Sequence, residues 1–496
     1  MLNETNGHID GTSIDNKTST ITPPPGPLKD DIPPALLHRS LRQAPYLITS
    51  ARGIHLTLSS GRTVMDACGG AAVACLGHGN EEVLQAVTAQ MSSGVSYLHS
   101  LTYTTDAAEQ LAHHLISGPH GAARFGLERA YFVNSGSEAM DATLKLARQY
   151  FFELDGAGAQ TTRARFVSRK QSYHGNTVGA MNVSSNLPRK VPYANFQLGN
   201  VSWVSPAYAY QYSRWQEGET EDEFAKRLVD ELDAHFLDLG PETVIAFLAE
   251  PLVGATSGCT PAPRGYFKGV REVCDKYGIL LVLDEVMCGM GRTGTQFAFE
   301  QEGIVPDIMT MGKGLGGGYA PVAGVLVHRK VIDVLRRGTS SFNHGQTYQA
   351  HPVGCAATLA VQKIIRRDGL IENCARMGKF LYPLLVETFG QAKYVGDIRG
   401  RGLFWGIEFV KDKATRMSFP PPVQFGPRFQ QTAFELGVAI YPGAGTVDGT
   451  KGDHAILSPP YNVTEDEVKK IVGVMKQAYD KLEKEVDEAA DDTNGK

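Results

Sequence analysis

Short apolar runs alternate with amphipathic segments through the middle of the chain. The runs lie at 131–134, 165–168, 244–250, 279–284, 308–311 and 322–327. Runs this short and this uniformly apolar are typical of buried strands in a parallel sheet. Residues 265–277 have helical spacing, and Gly278 is the kind of residue that ends a helix before a strand. The pattern therefore predicts an α/β fold in which helices flank a large, mainly parallel sheet.

The same pattern indicates more than one domain. Beyond about residue 351 it changes to helix, with short strands at 394–397 and 404–409 and a last helix from 464. We interpret this part as a smaller α+β domain. The predicted division is a mobile, proline-rich arm at 1–34, an N-terminal part of the small domain at 35–100, the large domain at 101–348, the C-terminal part of the small domain at 349–482, and a frayed acidic tail at 483–496.

Composition and charge exclude several classes of function. The 496 residues are 42% hydrophobic and 20% charged, with a net charge of −5, which is ordinary for a globular protein and leaves no basic stripe for nucleic acid. No apolar run approaches the roughly 18 residues of a membrane span. Seven cysteines without C-x-x-C spacing predict neither disulfides nor a zinc site. The acid-containing N-terminus favours the cytoplasm over mitochondrial import.

Candidate chemistry is concentrated between residues 284 and 318. A strand ends in Asp284-Glu285, Gly289 to Gly294 follow, and Lys313 lies among glycines after the next apolar run. Gly289 to Gly294 match the dinucleotide fingerprint, but that motif should follow its strand directly and open a helix. Gly312-Lys313 resembles a phosphate loop, but Asp307 and Gly314 stand where glycine and a magnesium-binding hydroxyl are required. Neither nucleotide motif is therefore predicted.

Lys313 is a candidate nucleophile. A single lysine is usually a solvated charge. Here, however, it follows a buried strand and sits where glycines let a bulky group approach the backbone. A lysine partly removed from water loses proton affinity, as Schiff-base formation with pyridoxal phosphate requires. Asp284 is the candidate carboxylate for the ring nitrogen of that cofactor; the alternative is a cap or turn residue.

Two further segments contain candidate cofactor contacts. Ser135-Gly136-Ser137 join a strand to a helix start, where backbone N–H groups and the helix dipole bind a phosphate. An ordinary serine cap is the alternative interpretation. Tyr173-His174-Gly175 follow another strand, where an aromatic ring can cover one face of a cofactor.

Taken together, these motifs resemble the class III aminotransferases, which are pyridoxal-phosphate enzymes of fold type I. The likeness rests on Leu281 to Val286, Gly291 to Gly294, Gly312-Lys313-Gly314, Glu250-Pro251 and His344 to Thr347, and it covers about residues 40–480. The resemblance implies that Lys313 carries the cofactor and that Asp284 pairs with its ring nitrogen. It implies further contacts from Val286 and Tyr173 to the ring, from Ser135, Gly136 and Ser137 to the phosphate, and from His174 and Glu250 beside the cofactor. Thr347 is expected to reach the phosphate of a neighbouring subunit, which implies a homodimer with shared active sites.

Substrate recognition departs from the family pattern. Met287 cannot donate a hydrogen bond where related enzymes often have glutamine, and Ala255 replaces a glutamate that pairs with the usual arginine gate. Arg399 matches an arginine that often binds a substrate carboxylate; a structural salt bridge is the alternative. Tyr441 occupies the region of a swinging arginine, and Ala72 replaces a tryptophan, which implies a wider pocket. These features look most like the ω-amine transaminase branch.

Three functional hypotheses follow. The first is ping-pong transfer of an amino group from a primary amine or ω-amino acid to an oxo acid, with pyruvate expected as an acceptor. The second keeps the cofactor for aminomutase, decarboxylase or racemase chemistry, because Lys313 and Asp284 would serve each of these. The third is a cofactor-free binding protein, which the chemically competent residues disfavour.

Overall fold

The computed structural model describes residues 35–494 apart from 42–43 and 157, so the predicted arm at 1–34 lies outside the described residues. Its strands are β1 Ile48–Arg52, β2 His55–Leu58, β3 Thr63–Asp66, β4 Leu127–Val133, β5 Arg165–Arg169, β6 Val201–Val204, β7 Val244–Ala249, β8 Leu252–Val253, β9 Thr260–Pro261, β10 Leu280–Asp284, β11 Ile308–Met311, β12 Ala323–His328, β13 Val395–Arg401, β14 Phe404–Phe409, β15 Val438–Ala439, β16 Tyr441–Ala444 and β17 Asp453–Leu457. Its α-helices are α1 Gly69–Ala72, α2 Glu81–Ser92, α3 Asp106–Ile116, α4 Gly136–Glu153, α5 Val178–Val183, α6 Leu187–Lys190, α7 Ala209–Tyr212, α8 Glu221–Leu239, α9 Tyr266–Tyr277, α10 Arg329–Arg337, α11 Pro352–Arg367, α12 Leu370–Phe389, α13 Phe425–Glu435 and α14 Glu465–Asn494.

The largest sheet has the strand order β4-β12-β11-β10-β7-β5-β6. Its pairs from β11 to β6 are parallel, whereas β12 runs antiparallel to both β11 and β4. The predicted α/β class is confirmed, with the six predicted runs as strands of this sheet. The reversed strand β12 is the departure from a uniformly parallel arrangement.

Side chains on the two faces of this sheet enter two different cores. On β10, Leu281 and Leu283 pack with α8 and α9, whereas Leu280 and Val282 pack with α4 and α10. A strand buried on both faces has no polar side, which explains why the sequence shows continuous apolar runs rather than alternation. Since each parallel strand ends at the same edge, residues that follow β5, β7, β10 and β11 come together there.

Besides the antiparallel pair β8-β9, two four-stranded sheets complete the described part of the fold. One has the order β1-β2-β3-β15, so the N-terminal strands share a sheet with β15 from the C-terminal part of the chain. The other has the antiparallel order β13-β14-β17-β16. Helix α14 extends to Asn494, so the prediction of a frayed tail from 483 is wrong: residues 483–494 continue the last helix.

Within the described ranges, no helix is both long and apolar enough to cross a lipid bilayer.

Candidate active site

A cavity of about 1030 Å³ opens at the edge of the large sheet where its parallel strands end. Most of the predicted site residues line it, namely Ser135, Gly136, Ser137, Tyr173, His174, Glu250, Asp284, Val286, Lys313 and Tyr441. They come from the ends of four strands, β5, β7, β10 and β11, from the start of helix α4 and from the first residue of β16, although they are up to 306 positions apart in the sequence. The fold therefore assembles the predicted chemistry in one place. Ala72, Thr347 and Arg399 are not part of its lining.

Lys313 enters this cavity immediately after β11. Its backbone has a φ of 44°, a left-handed conformation that costs a non-glycine residue about 1 kcal/mol or more. Burial lowers the pKa of its amine to about 8, while the charges of Asp284 and Glu250 act in the opposite direction. Within the described part of the chain, no carboxylate lies within salt-bridge distance of Nζ. The amine is thus prepared to lose its proton, as a nucleophile or a base must.

Asp284 ends β10 and is held by three groups. Its Oδ1 accepts from the Val286 N–H at 3.0 Å and from the Thr310 hydroxyl at 3.0 Å, and His174 Nδ1 lies 2.8 Å from Oδ2. An ionised carboxylate has about four acceptor positions, so one remains. Because Asp284 is buried and lines the cavity, that position can accept from a cationic N–H of a bound ring.

Glu250 follows β7, and its carboxylate fixes the backbone at Tyr173, the residue whose aromatic ring is predicted to cover the cofactor. Its Oε1 accepts from the Tyr173 N–H at 3.2 Å, and its Oε2 accepts from the Gly254 N–H at 3.0 Å. Burial raises the pKa of this carboxyl, as does Asp284, whereas His174 lowers it. The contacts make Glu250 a support for Tyr173 at the cavity wall.

The start of α4 offers an anion-binding site. Ser135 is the N-cap, and its hydroxyl accepts from the Glu138 N–H at 3.3 Å while the Glu138 carboxylate accepts from the Ser135 N–H at 3.1 Å. The hydroxyl of Ser137 accepts from the Asn176 N–H at 3.0 Å, which leaves its own proton available to a ligand. The serine-cap interpretation therefore describes the Ser135 side chain, whereas Gly136 and Ser137 retain donors for a phosphate.

Small residues leave space for a flat ligand beside these donors. A Cβ on Gly136 would come within 2.9 Å of Val286 Cγ1, and one on Gly175, whose φ is 138°, within 2.6 Å of Ser137 Oγ. Any larger residue at either position would close part of the cavity. The lysine, the carboxylate, the helix start and this space together fit pyridoxal phosphate.

Arg399 lies on β13 and is buried outside the cavity. Its Nη1 donates to Glu408 at 2.6 Å and to Asp397 at 2.8 Å, and its Nε donates to the Gly258 carbonyl at 3.0 Å. Its Nη2 donates to the Ser257 carbonyl at 2.5 Å. These contacts engage every nitrogen of the guanidinium group, so the structure favours the salt-bridge alternative over the predicted binding of a substrate carboxylate.

The other predicted residues have different surroundings. Ala72 is buried in a hydrophobic cluster that also contains Met287 and Phe404, and its neighbours Ala71 and Val73, rather than Ala72, line the cavity. The presence of alanine instead of tryptophan at position 72 therefore does not by itself show that the pocket is wider. Thr347 is exposed, and its predicted role across a dimer stays a prediction.

Sequence reasoning missed Thr310 and two cavity arginines. Thr310 lies in the apolar run of β11, and a polar residue inside a buried strand was the available indication of a hydrogen-bond partner. Arg39 and Arg189 line the same cavity, but nothing in their local sequence distinguishes them from surface arginines.

Comparison with known proteins agrees with this geometry. The model of the family described as "Aminotransferase class-III" matches residues 37–479. An uncharacterized aminotransferase of Schizosaccharomyces pombe is 48% identical over 88% of this chain and 93% of its own length. The diaminobutyrate–2-oxoglutarate transaminase of Halomonas elongata is 33% identical over 88% of this chain and 90% of its own. The crystal structure of the Pseudomonas jessenii omega transaminase in complex with PMP superposes with a TM-score of 0.80 at 32% identity, covering 88% of this chain and 93% of that one.

Proposed function

The chain belongs to the class-III aminotransferases, which depend on pyridoxal phosphate, and we propose that it transfers an amino group from a primary amine or ω-amino acid to an oxo acid, with pyruvate as an acceptor. The observation that carries the proposal is one cavity that contains Lys313, Asp284 and the start of α4. The same arrangement supports a ping-pong cycle, in which the amine leaves as a carbonyl product before the oxo acid enters.

Each residue has a separate task in this proposal. Bound pyridoxal phosphate supplies an aldehyde that condenses with amines and a ring that accepts electrons. Asp284 keeps the ring nitrogen protonated, and Lys313 Nζ accepts and returns the proton of the substrate carbon. A pKa near 8 suits Lys313 to both directions of transfer at neutral pH. Tyr173 and Val286, which both line the cavity, would cover the two faces of the ring.

The relatives support the amine and oxo-acid classes. The Halomonas relative is named for a diamino acid donor and an oxo-acid acceptor, and the Pseudomonas structure is that of an omega transaminase. We extend those classes to this chain, and we propose that the working unit is a homodimer in which Thr347 contacts the phosphate of the neighbouring site. Its exposed position outside its own cavity supports that role.

A donor panel tests the function. Purified holoenzyme is incubated with primary amines and ω-amino acids, with pyruvate or 2-oxoglutarate as acceptor, and both products are quantified. We expect equal consumption of donor and acceptor. Loss of amine without loss of acceptor would favour decarboxylation or an intramolecular shift, and no turnover across the panel would refute the proposal.

Two further measurements test the residue assignments. Borohydride reduction followed by peptide mapping should place the cofactor on Lys313, and Lys313→Ala should show no adduct. Sedimentation should give a dimer, and Thr347→Ala should weaken cofactor retention without changing the mass. A monomer with full activity would contradict the shared site.

A further inference from the structure

A short helix places an arginine on the wall of the active-site cavity. Arg189 lies in α6, and with Asn186, Leu187 and Pro188 it lines the cavity that contains Lys313. The side chain is partly buried, and its Cζ lies 4.5 Å from the centroid of the Tyr173 ring. Arg189 therefore packs against the aromatic residue proposed to cover the cofactor.

The neighbouring lysine holds this helix in place. Lys190 is buried, and its Nζ donates to the Asn182 carbonyl at 3.1 Å and to the Ser184 carbonyl at 2.7 Å. The same ammonium group lies 4.2 Å from the ring centroid of Trp203. Because Lys190 ties α6 to the end of α5, the adjacent Arg189 is presented to the cavity by a fixed backbone.

Arg189 differs from Arg399 in its counter-ions. Within the described residues, no carboxylate lies within 4 Å of the Arg189 guanidinium, whereas Arg399 contacts both Asp397 and Glu408. The charge of Arg189 also reaches the reacting amine, because it is among the groups that lower the pKa of Lys313, after burial. A guanidinium in a cavity that contacts an aromatic ring but no internal carboxylate is suited to bind a carboxylate from solution through a bidentate contact.

We propose that Arg189 binds the distal acid group of the substrate, so that this enzyme prefers ω-amino acids and their oxo-acid counterparts over plain amines. The inference rests on the proposed function and narrows its substrate class. It assigns to α6 the task that Arg399 cannot perform in its paired state, and that the phenol of Tyr441 cannot perform as an ion pair.

Matched donors test the preference directly. Holoenzyme is mixed with ω-amino acids from 3-aminopropanoate to 6-aminohexanoate and with n-alkylamines of equal length, and the second-order rate constant of the amine half-reaction is measured. Arg189→Gln should lower this constant by about 10- to 100-fold for the best amino acid, because a charged hydrogen bond is lost. The matched alkylamine should change by less than about twofold, and Arg189→Lys should recover part of the loss.

Arg129→Gln is the control for charge. Arg129 is an exposed arginine on β4 outside the cavity, so the variant makes the same change of charge without touching the proposed site. Its rate constants should equal those of the wild type. Equal losses for amino acid and alkylamine in Arg189→Gln, or no loss at any chain length, would overturn the proposal.

A binding measurement separates this inference from the proposed function. Calorimetric titration of the holoenzyme with butanoate and with butanamide requires no turnover, and only butanoate should bind more weakly to Arg189→Gln. If the wild type reacted with no donor but its binding of butanoate depended on Arg189, the proposed function would be refuted. The assignment of Arg189 as the residue that binds an acid group would then still be supported. If Arg189→Gln instead lost cofactor absorbance, Arg189 would be a cofactor contact and the inference would be wrong.

Discussion

Asp284→Asn removes the carboxylate proposed to hold the cofactor ring nitrogen in its protonated form. The substitution preserves the size of the side chain and replaces a negative charge with an amide. In the structure Val286, Thr310 and His174 occupy three of the acceptor positions, and the remaining position is available in the cavity. A hydrogen bond to a charged group contributes about 1.5–3 kcal/mol. Its loss should therefore slow the amine half-reaction by about 10- to 150-fold.

Stopped-flow absorbance of the holoenzyme after mixing with a saturating amine measures this rate. Thr310→Val is the matched control, because it removes one hydrogen bond to Asp284 and keeps the charge that acts on the ring nitrogen. That bond does not reach the ring and is present both before and during the reaction, so its loss should slow the amine half-reaction by less than about threefold. The assignment of Asp284 would be refuted if Asp284→Asn reacted within threefold of the wild type, or no more slowly than Thr310→Val, with cofactor fully bound.

Three other predictions concern the pH dependence, the cavity and the buried ion pair. In cofactor-free protein, trapping of pyridoxal phosphate at Lys313 should rise with pH around a midpoint near 8, because only the neutral amine attacks; a midpoint at the ordinary value of 10.5 would contradict the effect of burial. Gly136→Ala brings a methyl group within 2.9 Å of Val286, so equilibrium dialysis should show that the cofactor affinity is reduced by about 5- to 150-fold. An unchanged affinity would mean that Val286 moves to accommodate the methyl group. Glu408→Ala should lower the melting temperature by about 3 to 5 °C, since breaking a buried pair costs about 3 to 5 kcal/mol; an unchanged melting temperature with a raised KM would restore a substrate role for Arg399.

The positions of Asp284 and Lys313 could be predicted because each lies at or just beyond the end of a buried strand. An apolar run that ends in a polar residue indicates both the strand and the end of it, and parallel strands place those ends at one edge. The start of α4 was also predictable from a local pattern, because Ser135 and Glu138 have the spacing of a capping box. Local sequence patterns thus predicted most of the residues of the cofactor site.

Contacts that depend on strand register could not be predicted from such local patterns. Arg399 and Glu408 lie on adjacent antiparallel strands, where Asp397 is opposite Glu408 and Arg399 is opposite Gly406. The ion pair is therefore diagonal, and it exists only in this register. The reversed direction of β12 is likewise a property of the assembled sheet. The role of Arg189 was not predicted because only the folded structure places this residue on the wall of the cavity.

The adjacent acids Asp284 and Glu285 show why a motif alone does not assign roles. Consecutive residues at a strand end point in opposite directions, so only one of the two can face the cavity. Glu285 is fully buried on the other side, where its oxygens accept from the Ala298 and Phe299 N–H groups, each at 2.7 Å. Burial raises the pKa of this carboxyl to about 8 despite those bonds. Glu285 thereby secures the glycine-containing segment from Gly289 to Phe299 beneath the site, and this leaves Asp284 as the acid of the pair that can act on a bound ring.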